Sequence, residues 1–122
     1  MLPKILIVDD DIPTTVLCGH YLKEIGTLDI ASSGEIAMEM INHNNYDLII
    51  MDINLRGDLD GLSITKYLRK NDKYKETPII AITAFGKYYK EDAISAGCNY
   101  FLIKPFGKND FLELVNKSLN KS

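Results

Sequence analysis

The strongest constraint on this chain is a rhythm: short apolar runs of strand length, each followed by a stretch with helical spacing. The runs are Ile5–Val8, Leu28–Ala31, Leu48–Met51, Ile79–Thr83 (opened by Pro78) and Tyr100–Ile103. The first and third are apolar at every position, as a strand covered on both faces must be. The second carries Asp29, and a charge of that kind belongs at a sheet edge.

The intervening stretches read as helices. Leu17, Tyr21 and Ile25 form one stripe, with Gly26 as its stop. Ser32 and Glu35 have capping-box spacing ahead of Ile36, Ala37, Met40 and Ile41, which share one face. A third helix is expected over Gly61–Arg69 with Ile64 and Leu68 inward. A fourth is expected over Lys87–Ala96, poor in large apolar residues and closed by Gly97. The last covers Asn109–Leu119 and buries Phe111, Leu114, Val115 and Leu119. Five strands alternating with five helices predict an α/β domain, a parallel sheet wrapped on both faces. Right-handed crossovers leave few topologies, and the polar second strand fits a flavodoxin-like, doubly wound (βα)5 sheet of order 2-1-3-4-5. With 122 residues and no linker, repeat or low-complexity segment, residues 1–122 are read as one domain.

Composition narrows the function by exclusion. A formal net charge of −3 gives no global field toward nucleic acid or a membrane surface. Asp9 breaks the first apolar run, so no secretory signal is read, and no apolar run is long enough to span a bilayer. Cys18 and Cys98 are far apart and lack metal or redox spacing, so they are expected to be reduced thiols of a cytoplasmic protein.

In an open parallel sheet, ligands bind beyond the carboxyl ends of the strands. Asp9 and Asp10 follow the first strand, Asp52 follows the third, Thr83 ends the fourth and Lys104 follows the fifth. The predicted fold brings three carboxylates, a hydroxyl and an ammonium to one crevice. Three neighbouring carboxylates do not all stay ionised without a counter-charge. A hard divalent cation supplies one, and Mg²⁺, with Mn²⁺ as a second possibility, suits a site of few carboxylates completed by water and phosphate oxygens. A carboxylate beside such a cation can act as a nucleophile toward phosphorus, while Lys104 and Thr83 receive the phosphoryl oxygens. Asp11 lies one step further on and reads as a helix-start residue near Pro13.

At this point the sequence resembles the receiver domain of two-component response regulators, CheY-like and single-domain, over essentially its whole length. The matching pieces are the acidic pair of LIVDD, the aspartate of LIIMDINL, the later DG of LDGL, the threonine of IIAITA and the Lys-Pro of YFLIKPF. The resemblance implies Asp52 as phosphoacceptor, with Asp9, Asp10, Asp52 and the backbone carbonyl of Asn54 around Mg²⁺. It further implies Lys104 and Thr83 as partners of the phosphoryl group, Thr83 and Phe101 as switch residues, and a cis Lys104-Pro105 bond. The implied partners are a sensor histidine kinase or a histidine phosphotransfer protein upstream and a protein target downstream. The target would be reached through the surface of the fourth helix, fifth strand and fifth helix by a monomer or weak dimer, without direct nucleic-acid binding or membrane insertion. The implied protein is a phosphoacceptor that assists its own phosphorylation and dephosphorylation, and not a turnover enzyme. With Ser122 as the last residue, the signal is expected to leave through protein contact.

Two departures stand out. Leu55-Arg56 replaces the usual Met-Pro after the acceptor, and the loop to Gly61 is about one residue longer. Asn54 and Phe85 flank the site two residues beyond Asp52 and Thr83, where bulk at Phe85 is expected to hinder attacking water and lengthen the phosphoryl lifetime. The rival reading is a haloacid-dehalogenase-type phosphatase using Asp9 and Asp11. Against it, Pro13 stands where Thr or Val would continue that motif, the later acidic pair is missing, and the chain is short. Bland readings exist for each residue, among them a solvated turn for the three aspartates, a β-former for Thr83 and a core role for Phe101. Their joint placement at strand ends argues for chemistry.

Overall fold

The computed structural model describes residues 2–120. They form β1 (Lys4–Val8), α1 (Ile12–Leu22), β2 (Thr27–Ala31), α2 (Gly34–His43), β3 (Leu48–Asp52), α3 (Gly61–Lys70), β4 (Ile79–Thr83), α4 (Lys90–Ala96), β5 (Tyr100–Ile103) and α5 (Lys108–Leu119). All strand pairings are parallel, and the sheet order is β2-β1-β3-β4-β5. No helix among the described residues is long and apolar enough to cross a membrane.

Strand alternation divides the core into two layers. Leu6, Val8, Ile49, Met51, Ile79 and Ala81 face one way and pack with Ala37, Ile41, Ile64, Leu68 and Ala93 from α2, α3 and α4. Ile5, Ile7, Leu48, Ile50, Ile80 and Ile82 face the other way, against Cys18 and Leu22 of α1 and Phe111 and Val115 of α5. The central strands therefore need apolar residues at every position, which is why β1 and β3 read as unbroken runs. Truncating one of these fully buried side chains to Ala typically costs about 2–5 kcal/mol. Asp29 on edge strand β2 is half-buried and accepts a hydrogen bond from the Tyr46 hydroxyl at 2.7 Å.

Several local expectations need correction. The buried face of α1 is Thr15, Cys18 and Leu22, while Leu17 stays at the surface. Thr15 can be buried because its hydroxyl donates to the Ile12 carbonyl at 2.8 Å, so a count of apolar residues alone misjudges the helix phase. The cap of α2 is Ser33, whose Oγ accepts from the Ile36 amide at 3.2 Å, and not Ser32. Glu35 then stands at the second helical position, one short of closing a capping box. The expected fourth helix is divided into a 3₁₀ turn over Gly86–Tyr89 and α4, which buries only Ala93 and Ala96. Gly97 closes α4 with φ +122°, in the left-handed region that other residues avoid. Both cysteines are free and buried.

Candidate functional site

Register decides what meets at the carboxyl edge of the sheet. Val8 pairs with Met51, so Asp9 and Asp52 come level on neighbouring strands. Asp52 pairs with Ile82 and Thr83 with Ile103, and Lys104 follows directly. One oxygen each from Asp9, Asp10 and Asp52 lie within 4.8 Å of one another. Asp9 and Asp52 are almost fully buried at 1% and 4% exposure, and Thr83 is completely buried. The crevice, a cleft of 270 Å³, is lined by Asp10, Asp11, Asp52, Asn54, Arg56, Ala84, Phe85 and Lys104.

Lys104 is the central cation. Its Nζ lies 2.8 Å from Asp9 Oδ2 and 3.4 Å from Asp52 Oδ2. The closer partner is Asp9. Burial works against the charge of Lys104, but Asp9 and Asp52 outweigh it and hold its pKa above the ordinary lysine value. Burial pushes the Asp9 carboxyl up to about 6, against the pull of Lys104 and the Asp11 amide. Asp9 Oδ1 accepts from that amide at 2.9 Å, whereas buried Oδ2 has no hydrogen bond of good geometry, only the Lys104 ion pair. A buried carboxylate oxygen without a directed donor, in a trio of close carboxylates, fits a hard divalent cation.

The remaining groups are held by their own loops. Asp52 Oδ1 accepts from the Asn54 amide at 2.9 Å. The Thr83 hydroxyl donates to Asn54 Oδ1 in a short hydrogen bond and accepts from the Phe85 amide at 3.1 Å. Gly61 lies against the backbone at the end of β3, where an added Cβ would come within 2.3 Å of the Asp52 carbonyl oxygen. This explains the glycine of the DG pair, while Asp60 caps α3 by accepting from the Ser63 amide at 2.8 Å. Phe101 on β5 is partly buried against the core layer that α4 covers. Lys104-Pro105 is cis, as the resemblance implied.

Asp11 does not join the trio. It is exposed and caps α1, its Oδ2 accepting from the Thr14 amide at 3.1 Å. The Asp9/Asp11 phosphatase reading is therefore set aside, because the second carboxylate that it requires is committed to a helix end. The sequence also gave Arg56 no role beyond marking a departure. Arg56 Nε and its backbone N–H both donate to Asp10 Oδ2, at 3.0 and 3.2 Å. Burial alone would raise Asp10, but these hydrogen bonds hold its carboxyl below the usual range. A legible signal existed: a cation four residues beyond Asp52, on a loop rising from a strand end crowded with carboxylates.

A doubly wound sheet whose carboxyl edge gathers acidic residues, a lysine and a buried threonine defines a CheY-like signalling domain of the phosphorylation-switched kind. The model of the response regulator receiver domain matches residues 5–116, and the chain belongs to that family. The polar-differentiation response regulator DivK of Brucella ovis is 31% identical over 121 residues, covering 98% of both chains. Transcription factor SKN7 of Saccharomyces cerevisiae is 35% identical over 119 residues, covering 94% of this chain, which spans 18% of SKN7. Among solved structures, the receiver domain of the Pseudomonas aeruginosa sensor histidine kinase PA1611, with magnesium coordinated in its active-site cleft, superposes with a TM-score of 0.89. It is 27% identical and covers 99% of this chain and 100% of its own.

Proposed function

We propose that Asp52 accepts a phosphoryl group from a histidine kinase or histidine phosphotransfer protein, and that its phosphorylation resets the α4-β5-α5 surface for a protein target. The observation carrying this reading is the Lys104 ammonium set between Asp9 and Asp52 at the carboxyl edge of the sheet. An Asp52 oxygen attacks phosphorus, the P–N bond to the donor imidazole breaks, and an acyl phosphate forms on Asp52. Asp9, Asp10, Asp52 and the Asn54 carbonyl would hold Mg²⁺, which would supply charge neutralisation for the phosphoryl oxygens. Lys104 moves its ion pairing to the phosphoryl group, which carries about −1.5 to −2 charge at neutral pH in place of the single charge of the Asp52 carboxylate. Thr83 turns its hydroxyl from Asn54 to a phosphoryl oxygen, and Phe101 and the thinly packed α4 follow.

A protein donor is supported by the apolar groove beside the crevice, lined by Pro13, Leu17, Ala84, Pro105 and Phe106, with Ile12 and Val16 also exposed on α1. The reading places the domain in the cytoplasm with its donor, acting as a switch that is reset rather than as a turnover enzyme, and with no contact to nucleic acid. Incubation with acetyl phosphate, with and without Mg²⁺, and intact-mass measurement tests it. One added phosphoryl group that requires Mg²⁺ and is lost in Asp52→Ala is expected. Phosphorylation that persists in that variant would sink the assignment.

A further inference from the structure

Asp10 is the most accessible of the three carboxylates, and its Oδ2 is already engaged twice by Arg56, through Nε at 3.0 Å and the backbone N–H at 3.2 Å. The Arg56 side chain is 85% exposed, so little besides this carboxylate fixes the guanidinium. Its neighbour Leu55 is 7% exposed and packs into the core, which anchors the loop. The loop therefore holds an exposed cation against one oxygen of a close carboxylate trio. We propose that Arg56 is a tethered counter-cation for Asp10, displaced when a divalent cation binds, so that residue 56 sets how tightly this chain holds its metal.

This inference rests on the reading of Asp9, Asp10 and Asp52 as the cation site. Two positive charges cannot share one carboxylate without repulsion, and the arginine has a second stable state in water. A divalent ion gains more from the trio than a single exposed guanidinium gains from Asp10. Metal binding then trades the Arg56 contact for coordination, and the Arg56 side chain is released at the mouth of the crevice where a phosphodonor must enter. Exposed ion pairs are weak, so the handicap that Arg56 imposes on metal affinity is of order two- to five-fold.

The test is a Mg²⁺ titration of the wild type and Arg56→Ala by calorimetry, with the Arg56 side-chain Nε–H of the wild type followed by ¹⁵N NMR. Urea unfolding in chelator checks that the variant folds. The expected result is about two- to five-fold tighter Mg²⁺ binding by Arg56→Ala, and an Nε–H resonance that shifts with metal saturation. Equal affinities, or an Nε–H unmoved at saturating Mg²⁺, would overturn the role of Arg56 while leaving the cation site intact. Absence of Mg²⁺ binding by both proteins would overturn the cation site itself, and this proposal with it.

Discussion

Replacing Asp9 by Asn keeps the shape of the side chain and removes its charge from the most buried position of the site. In the folded protein, burial raises the Asp9 carboxyl from 3.8 to about 6. A group with a raised folded pKa binds its proton more tightly in the native state. Its contribution to stability is complete below about pH 4 and is lost as pH rises through about 6. At pH 8 the ionised Asp9 therefore burdens the fold by the full shift, roughly two units, or about 3 kcal/mol at 1.36 kcal/mol per unit. Asparagine resembles the protonated acid, and some packing around Lys104 will relax. Asp9→Asn is thus expected to be more stable than the wild type by about 1–3 kcal/mol at pH 8, with the difference falling toward zero near pH 4. Urea unfolding in chelator at pH 4, 6 and 8 measures this directly. Saturating Mg²⁺ should reverse the order, since a cation that binds only the native wild type stabilises it by mass action. A variant less stable than the wild type at pH 8 without Mg²⁺, or a difference that does not change with pH, would refute the account of Asp9 as a carboxylate strained by desolvation.

Three other outcomes follow from particular contacts. Asp11→Ala removes the cap of α1 and should lower stability by about 1 kcal/mol in denaturant unfolding, while Asp11→Asn should be nearly neutral. Gly61→Ala pushes a methyl into the Asp52 carbonyl and should destabilise by about 1–3 kcal/mol, with slower phosphorylation by acetyl phosphate because the acceptor strand must shift. Phe85→Ala opens the mouth of the crevice, and radiolabelled phosphoryl loss from the variant should be several-fold faster than from the wild type. A slower loss would show that Phe85 does not shield the acyl phosphate.

The fold was legible because its signal is local. Each central strand is buried on two faces, so Ile5–Val8 and Leu48–Met51 had to be apolar throughout. Asp9, Asp10, Asp52, Thr83 and Lys104 are recognisable because they break those runs at the same edge. The separate place of Asp11 was legible too, since a carboxylate just before a helix with Pro13 in its first turn has a local partner in the Thr14 amide. Helix phase was less so: Thr15 is buried through a bond to its own helix, and Leu17 is left at the rim.

Energies and pairings came only with the tertiary structure, because they depend on distances between strands that are remote in sequence. No local feature says that Lys104 lies closer to Asp9 than to Asp52, or that burial rather than repulsion dominates the raised pKa of Asp9. The clasp between Arg56 and Asp10 joins residues 46 positions apart, and the hydrogen bond from Thr83 to Asn54 joins residues 29 apart. The sequence determined which chemical groups stand at the strand ends. Packing decided which of them touch, since register and burial are collective properties of the whole sheet.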